Sequence, residues 1–564
     1  MDHQIDGLTF LRNRESGKSK GGILADDMGL GKTVQILALI LANPSPSKKQ
    51  PTLVVVPLSL LDQWHREIST KTNLTVLKHH GTKRATSGEG IRKHDIIVTT
   101  YDIIRSEWNG LEYTEKNKDD EFGIGCFKVV WHRIVLDEAQ IIKNRSSKAA
   151  RAVCALDSRN KWCLTGTPIQ NSVDELYSLI KFLRIQPFSD FSQWKERISQ
   201  PMKSGHGDKA IKRLHAFLGK ILLRRTKEYL TLTGNKQLKL PQRKIINDIC
   251  DFSAVEREFY SRLEATANKT LDELVHQAEE RGKGNMLNML CLLLRLRQAT
   301  VHWELVAQKL DMKLAVSAGD SVGKKEQAEE IDDVAALLSG LGIEEQATRR
   351  CDICLTELSV TDTPNGKNLC FECQEQGRSI TNHKSIITST KVRRMLEILT
   401  TRDESDRKTI VFSQFTQMFN LIEPMLDGAG IGYARYEGSM PNSKREESLR
   451  KLREDNKTRV LLCSLKCGSL GLTLTSASRV ILLDVWWNPA VENQAIDRVH
   501  RIGQMRDVVV HKITIKDTVE ERIVAMQEKK KAIAMQALGD SKGGKMISNK
   551  LSWSEALALF GRDG

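Results

Sequence analysis

The chain has no apolar run long enough to cross a membrane. Its longest candidate, "ILALILAN" at residues 36–43, falls well short of the roughly 20 residues a helical span needs. The opening residues, "MDHQIDGLTFLRNRE", are mixed and charged and do not read as a secretory leader. Paired cysteines are lacking too. The 11 cysteines are odd in number, and with no leader they argue for a reducing compartment rather than a disulfide framework. Seven are scattered, as core residues would be. The other four, Cys351, Cys354, Cys370 and Cys373, are clustered.

What remains is a soluble, globular pattern. The 564 residues are 40% hydrophobic and 28% charged, too many for one core, which implies two or three domains. With 86 Lys and Arg against 71 Asp and Glu, the net charge is +15. That balance suits a polyanionic partner, nucleic acid first, and equally a generally basic solvated surface.

Short β-branched runs alternate with helical stretches. The first half carries "TLVVVP" (52–57), "DIIVTT" (95–100), "HRIVLD" (132–137) and "KWCLTG" (161–166). The second half carries "KTIVFS" (408–413), "RVLLCS" (459–464), "RVILLD" (479–484) and "VVVHKIT" (508–514). Apolar runs bounded by turn residues and separated by amphipathic segments predict parallel strands joined by crossover helices. The expected fold is therefore α/β, with two parallel-sheet lobes at 1–190 and 386–540. A helical insertion over 191–385 would separate them, and a tail over 541–564 would follow. Within the insertion, the acidic stretch 318–349 reads as partly flexible.

"GGILADDMGLGKTVQILALI" is the strongest single feature. Gly29-Leu30-Gly31-Lys32-Thr33 follows an apolar strand and opens an apolar helix, the context a P-loop needs. Backbone N–H groups and the helix N-terminus would cradle phosphates, Lys32 would reach the β and γ oxygens, and the Thr33 hydroxyl would ligate Mg²⁺. The loop as a whole, Asp26, Asp27, Met28, Gly29, Leu30, Gly31, Lys32 and Thr33, is the nucleotide candidate. The usual spacing wants glycine where this chain has Asp26. In "RIVLDEAQIIKN", Asp137 and Glu138 end an apolar strand. Alone, such a pair usually marks a solvated strand end. Downstream of a P-loop, Asp137 suits Mg²⁺ and Glu138 suits polarisation of the attacking water.

These segments come in order with "PLSLLDQWHREI", "LTGTPIQNSVDELYSLIKFL", "LLRRTK", "IVFSQFT", "VLLCSLKCGSLGLTL" and "VWWNPAVENQAIDRVHRIGQ". The whole set resembles the helicase-like motifs of the SWI/SNF-related DNA-dependent ATPases, nearest the fungal Rad-type repair branch. The resemblance implies two RecA-like lobes with ATP in the cleft, translocation on double-stranded DNA in chromatin remodelling or repair, and a nuclear protein acting on chromatin or a DNA-bound protein. It gives Gln4 as an adenine reader, and Arg498 and Arg501 as arginine fingers sharing one helix face, with Gln494 one turn back. For DNA it implies contacts to the phosphate backbone, which carry no sequence information. The candidates are Ser59, Gln63 and Trp64, then Arg224, Arg225 and Lys227, then Ser464, Lys466 and Gly468. The chain departs from the family at Ser469, Leu470 and Thr473, and at Gln140, where His is usual. A neutral amide both donates and accepts but gains no proton near neutral pH, so Gln140 is expected to spare the chemistry and alter its coupling to DNA.

The four clustered cysteines are spaced CxxC, fifteen residues, CxxC, which matches structural zinc. Relatives of this branch carry a two-metal RING ubiquitin-ligase domain here. Four cysteines and His383 do not fill two sites, so a single-zinc hairpin fits better. Two alternatives stay open at this level: a zinc-dependent ubiquitin-ligase adaptor with an auxiliary ATPase, and an ATPase-deficient scaffold, suggested by how close Met1 falls to Gln4.

Overall fold

The structure is a computed structural model that describes residues 1–17, 20–47, 50–82, 84–85, 87–108, 124–169, 172–203, 207–227, 230, 240–281, 286–306, 351, 388–401, 407–469, 472–538 and 557–562. The acidic stretch 318–349 and three of the four clustered cysteines lie outside them.

Among the described residues, thirteen strands form two sheets. In chain order the first lobe has β1 (Gly21–Leu24), β2 (Thr52–Val56), β3 (Val76–Lys78), β4 (Ile96–Thr100), β5 (Trp131–Leu136), β6 (Ser158–Leu164) and β7 (Leu222–Leu223). The second has β8 (Arg243–Cys250), β9 (Thr409–Ser413), β10 (Gly432–Tyr436), β11 (Thr458–Ser464), β12 (Arg479–Leu482) and β13 (Val508–Ile515). The sheet orders are β3-β4-β2-β5-β6-β1-β7 and β10-β11-β9-β12-β13-β8. Every pairing is parallel. Helices cover both faces, so the interior strands are buried on both sides and read as unbroken apolar runs.

The expected interior strands are all present. The four the pattern did not reveal, β3, β7, β8 and β10, are the four sheet edges. An edge strand faces solvent along one side, so "RKIINDIC" in β8 carries charge and leaves Ile249 65% exposed.

The lobe boundaries also shift. Strands β7 and β8 both fall inside 191–385, yet β7 extends the first sheet beside β1, and β8 pairs along its whole length with β13. Leu214, Leu218 and Ile221 belong to the first lobe's core. The charged helices Ala254–Arg281 and Met286–Val301 pack through Tyr260, Leu263, Leu271, Leu292 and Leu296 onto Val519 and Ile523 of the second lobe. These stretches serve as lobe structure rather than as a separate insertion. Arg297 anchors the second of the two helices. Its guanidinium lies 5.6, 5.2 and 4.8 Å from the ring centroids of Phe415, Trp486 and Trp487, and donates to Gln414 Oε1 (2.8 Å) and the Val485 carbonyl (2.7 Å). Among the described residues, no helix is long and apolar enough to cross a membrane.

Candidate functional site

Strands β1, β6 and β5 lie side by side, so the loops at their C-terminal ends share one crevice. Those loops are the P-loop, "TGTP" and "DEAQ". Neighbourhood in the sheet thus joins motifs that are far apart in sequence.

The P-loop needs two left-handed residues, and glycine supplies both: φ is 88° at Gly29 and 83° at Gly31. Helix Lys32–Ala42 starts directly after Gly31. Lys32 Nζ donates to the carbonyls of Asp26 (2.6 Å) and Asp27 (3.3 Å), at the base of the loop. Burial holds its pKa below the ordinary lysine range, against the upward pull of Glu138 and Asp26.

Asp26, the residue in place of glycine, is fully buried. Its Oδ1 accepts from Arg225 Nε at 2.9 Å, and its Oδ2 accepts from Arg225 Nη2 and from Gln35 Nε2 at 3.1 Å. The carboxylate is consumed beneath the loop and does not face a nucleotide. Asp27 Oδ2 accepts from the Lys227 amide at 3.0 Å.

Asp137 and Glu138 follow β5. Trp64 Nε1 donates to Asp137 Oδ2 (2.8 Å), the Glu138 amide donates to Oδ1 (2.9 Å), and the Tyr101 hydroxyl donates to the Asp137 carbonyl (2.7 Å). Burial, with the charge of Glu138 beside it, pushes the Asp137 carboxyl up to about 6. Two buried carboxylates in sequence are costly alone, and a divalent cation beside Asp137 would relieve them; the carboxylate chemistry of Asp137, with the Thr33 hydroxyl in the P-loop helix, suits Mg²⁺. Gln140 sits between two motifs. Its Nε2 donates to Glu138 Oε2 (2.8 Å), and its Oε1 accepts from Thr165 Oγ1 of "TGTP" (2.7 Å).

The second lobe closes the crevice. Arg498 Nη2 donates to Glu138 Oε1 at 3.0 Å, and both side chains are buried. Gln494 Nε2 donates to Thr167 Oγ1 at 2.8 Å, so this glutamine meets "TGTP". Arg501 lies over the P-loop, where a Cβ at Gly29 would come 2.7 Å from its Cβ, and its Nη1 donates to Thr473 Oγ1 at 3.1 Å. Helix Pro489–Ile496 ends before either arginine, which corrects the expected shared helix face. Both lie in the turn that follows, and both still reach the first lobe.

Gln4 and His3 arrive on the N-terminal helix, Asp2–Ser16. Gln4 Nε2 donates to the Leu30 carbonyl (3.3 Å), and His3 Nε2 pairs with the same oxygen (3.0 Å). The far end of the helix is fixed by a buried ion pair. Arg133 holds both Glu15 oxygens at 2.6 Å, and Trp162 Nε1 adds a bond at 2.9 Å.

Five of the nucleic-acid candidates turn out to be buried, three of them on internal acceptors. Trp64 is buried under Asp137, Arg225 is buried on Asp26, and Lys227 Nζ is bound to Asp497 Oδ1 (2.9 Å) and the His500 carbonyl (2.6 Å). Each already has a buried acceptor within the protein. Ser464 is also buried, and its Oγ accepts from the Cys467 amide (3.4 Å). Gly468 is buried against Phe412. Lys466 is exposed, while Ser59, Gln63 and Arg224 are half-buried. Of the zinc candidates, Cys351 alone is described, and it is fully buried in the helical cluster of the second lobe. A separate group of ligand-type side chains, His79, Glu107 and Cys126, lies together in the first lobe. Arg84 Nε already neutralises Glu107 there at 2.7 Å.

Tyr101 and the Glu15–Arg133 pair were not legible as site-builders, while Trp64 and Thr165 were marked only by their motifs. Trp64's motif pointed to DNA, whereas its indole builds the carboxylate site.

Residues 3–305 match the SNF2-related domain, and residues 390–503 match the helicase conserved C-terminal domain. An uncharacterised ATP-dependent helicase of Schizosaccharomyces pombe is 35% identical over 100% of this chain and 62% of its own length. The DNA repair protein RAD5B of Arabidopsis thaliana is 34% identical over 93% of this chain and 46% of its own. This chain therefore spans between 46% and 62% of those relatives. The helicase-like transcription factor CHR27 of Arabidopsis thaliana is 31% identical, over 96% of this chain and 72% of its own. Among solved structures, the Sulfolobus solfataricus SWI2/SNF2 ATPase core in complex with dsDNA is 26% identical, covering 95% of this chain and 93% of that one, with a TM-score of 0.37.

Proposed function

Because the chain belongs to the SNF2-related family of helicase-like ATPases, we propose that it couples ATP hydrolysis to translocation along duplex DNA, in chromatin remodelling or DNA repair in the nucleus. One observation carries the reading: Glu138 of the first lobe and Arg498 of the second meet at 3.0 Å above the P-loop. A triphosphate held there lies between groups from both lobes.

In this reading Lys32 and the glycine-flanked amides hold the phosphates. Gln4 stands beside the loop for the base. Thr33 and Asp137 would hold Mg²⁺, which would supply charge neutralisation at the phosphates. Glu138 orients the attacking water and accepts its proton, while Arg498 and Arg501 stabilise charge on the transferring group. Catalysis is complete only when the lobes are closed. Duplex DNA that bridges both lobes favours closure, and so couples binding to turnover. Lys466, which is exposed, and Gln63, Ser59 and Arg224, which are half-buried, remain the candidates for that contact. The thiolates of Cys351, Cys354, Cys370 and Cys373 would bind one structural zinc, and metal analysis should find about one zinc per chain, lost on Cys354→Ser.

The test is an ATPase assay run with no nucleic acid, single-stranded DNA, duplex DNA and nucleosomes side by side. Duplex DNA should stimulate hydrolysis, and Lys32→Ala or Glu138→Gln should abolish it. A rate indifferent to duplex DNA would overturn the proposal.

A further inference from the structure

The segment 222–227 runs beside the P-loop strand as its parallel neighbour. Ile23 and Leu24 pair with Leu222 and Leu223. The ladder then continues past the strand end, with the Ala25 amide on the Leu223 carbonyl (2.7 Å) and the Asp27 amide on the Arg225 carbonyl (3.0 Å). The Lys227 amide closes it on Asp27 Oδ2 (3.0 Å). The backbone of Lys227 is therefore fixed to the base of the P-loop.

Its side chain leaves the first lobe. Nζ donates to Asp497 Oδ1 at 2.9 Å and to the His500 carbonyl at 2.6 Å. Asp497 directly precedes Arg498, and His500 directly precedes Arg501. Asp497 is also the residue that caps the C-terminal end of helix Pro489–Ile496, where a cation is favoured by the helix dipole. Arg243 Nη1, 3.7 Å from the same Asp497 oxygen, supports the pair from β8. A single ammonium group thus grips the residue before each arginine, from a backbone position bonded to the P-loop.

We propose that Lys227 is a positioning residue: it sets the height and register of the Arg498–Arg501 turn over the P-loop. Loss of its two bonds lets the turn drift. A displacement of about 1 Å in such a clamp lowers turnover by about a hundredfold. The inference rests on the nucleotide chemistry proposed above but requires no DNA contact from Lys227.

The experiment measures hydrolysis of ATP with and without duplex DNA for Lys227→Met, Lys227→Arg, Asp497→Asn and Lys227→Met in an Arg498→Ala background. Lys227→Met should lower kcat about a hundredfold in both conditions, with the ATP KM within about twofold. Lys227→Arg, which keeps both donors, should recover most of the loss. Asp497→Asn should show a smaller loss, because the His500 carbonyl remains. In the Arg498→Ala background, Lys227→Met should cost clearly less than it does alone, the remainder acting through Arg501. DNA affinity and its salt dependence should be unchanged. A normal kcat in Lys227→Met, or full additivity with Arg498→Ala, overturns the proposal. So does a salt slope that falls by about 0.9, which would mark Lys227 as a phosphate contact. If duplex DNA fails to stimulate the unmodified chain, the functional reading fails, while the comparison of basal rates still judges Lys227.

Discussion

Gln140 offers the most direct test of how the motifs communicate. Its amide is used at both ends: it donates to Glu138 Oε2 at 2.8 Å and accepts from Thr165 Oγ1 at 2.7 Å. Gln140→Ala removes both bonds. A hydrogen bond to a charged carboxylate contributes about 1.5 to 3 kcal/mol, and a neutral one about 1 kcal/mol. If about 2 kcal/mol of this orientation is expressed in the transition state, kcat/KM for ATP falls about thirtyfold. Gln140→Glu should be worse than alanine, because it sets a second anion against Glu138 and keeps only the Thr165 bond. Gln140→His should be milder, because the ring can serve both partners, and it should add a pH dependence near neutrality that glutamine lacks. The assay is single-turnover hydrolysis, with and without duplex DNA, in a double-mutant cycle with Thr165→Val. Gln140→Ala within twofold of the unmodified chain, or strict additivity with Thr165→Val, refutes the bridge.

Three further outcomes are expected. Arg225→Met leaves the buried Asp26 carboxylate without its partner, so it should lower stability by about 3 to 5 kcal/mol in denaturant melts; Asp26→Asn in the same chain should restore part of the loss, and the salt dependence of DNA binding should not move. Glu15→Gln should loosen the N-terminal helix: burial pushes the Glu15 carboxyl up, but Arg133, Trp162 and Asn43 outweigh it and hold it below the ordinary range, so its contribution is present above about pH 4.5 and is lost as the pH falls. Hydrogen exchange across 2–16 should therefore rise in Glu15→Gln at neutral pH, and an unchanged pattern would argue against the anchor. His132 and His302 are pushed down from 6.5 to about 4, His132 by burial and the neighbouring Arg133, His302 by burial. Folded, they stay neutral while the unfolded chain takes up protons, so stability should fall as pH drops from about 6.5 toward about 4, by up to about 1.4 kcal/mol per pH unit for each. His302→Asn should flatten that dependence of the thermal midpoint.

The edge strands show how legibility depends on burial. "TLVVV" and "TIVFS" announce themselves because both faces of their sheets are covered, so every position is apolar. "RKIINDIC" and "GYARY" lie at edges, where solvent on one side admits charge, and their composition resembles that of a loop. In the site, motif spacing singled out Lys32, Asp137, Glu138, Arg498 and Arg501, and the fold gathers them around one crevice. Arg225 and Lys227 were misread. A basic residue reads the same whether its partner is a phosphate or a buried carboxylate, and those partners, Asp26 and Asp497, lie far away in the chain.

The sequence by itself determined the two-lobe α/β architecture and singled out the P-loop, the carboxylate pair and the arginines as candidates, because periodicity and motif spacing are local properties. Tertiary structure alone decided which of those groups touch. The order β5-β6-β1 set Gln140 against Thr165, and lobe closure brought Arg498 to Glu138 and Lys227 to Asp497. Such contacts depend on sheet order and on how one lobe sits over the other, and no window of neighbouring residues encodes either.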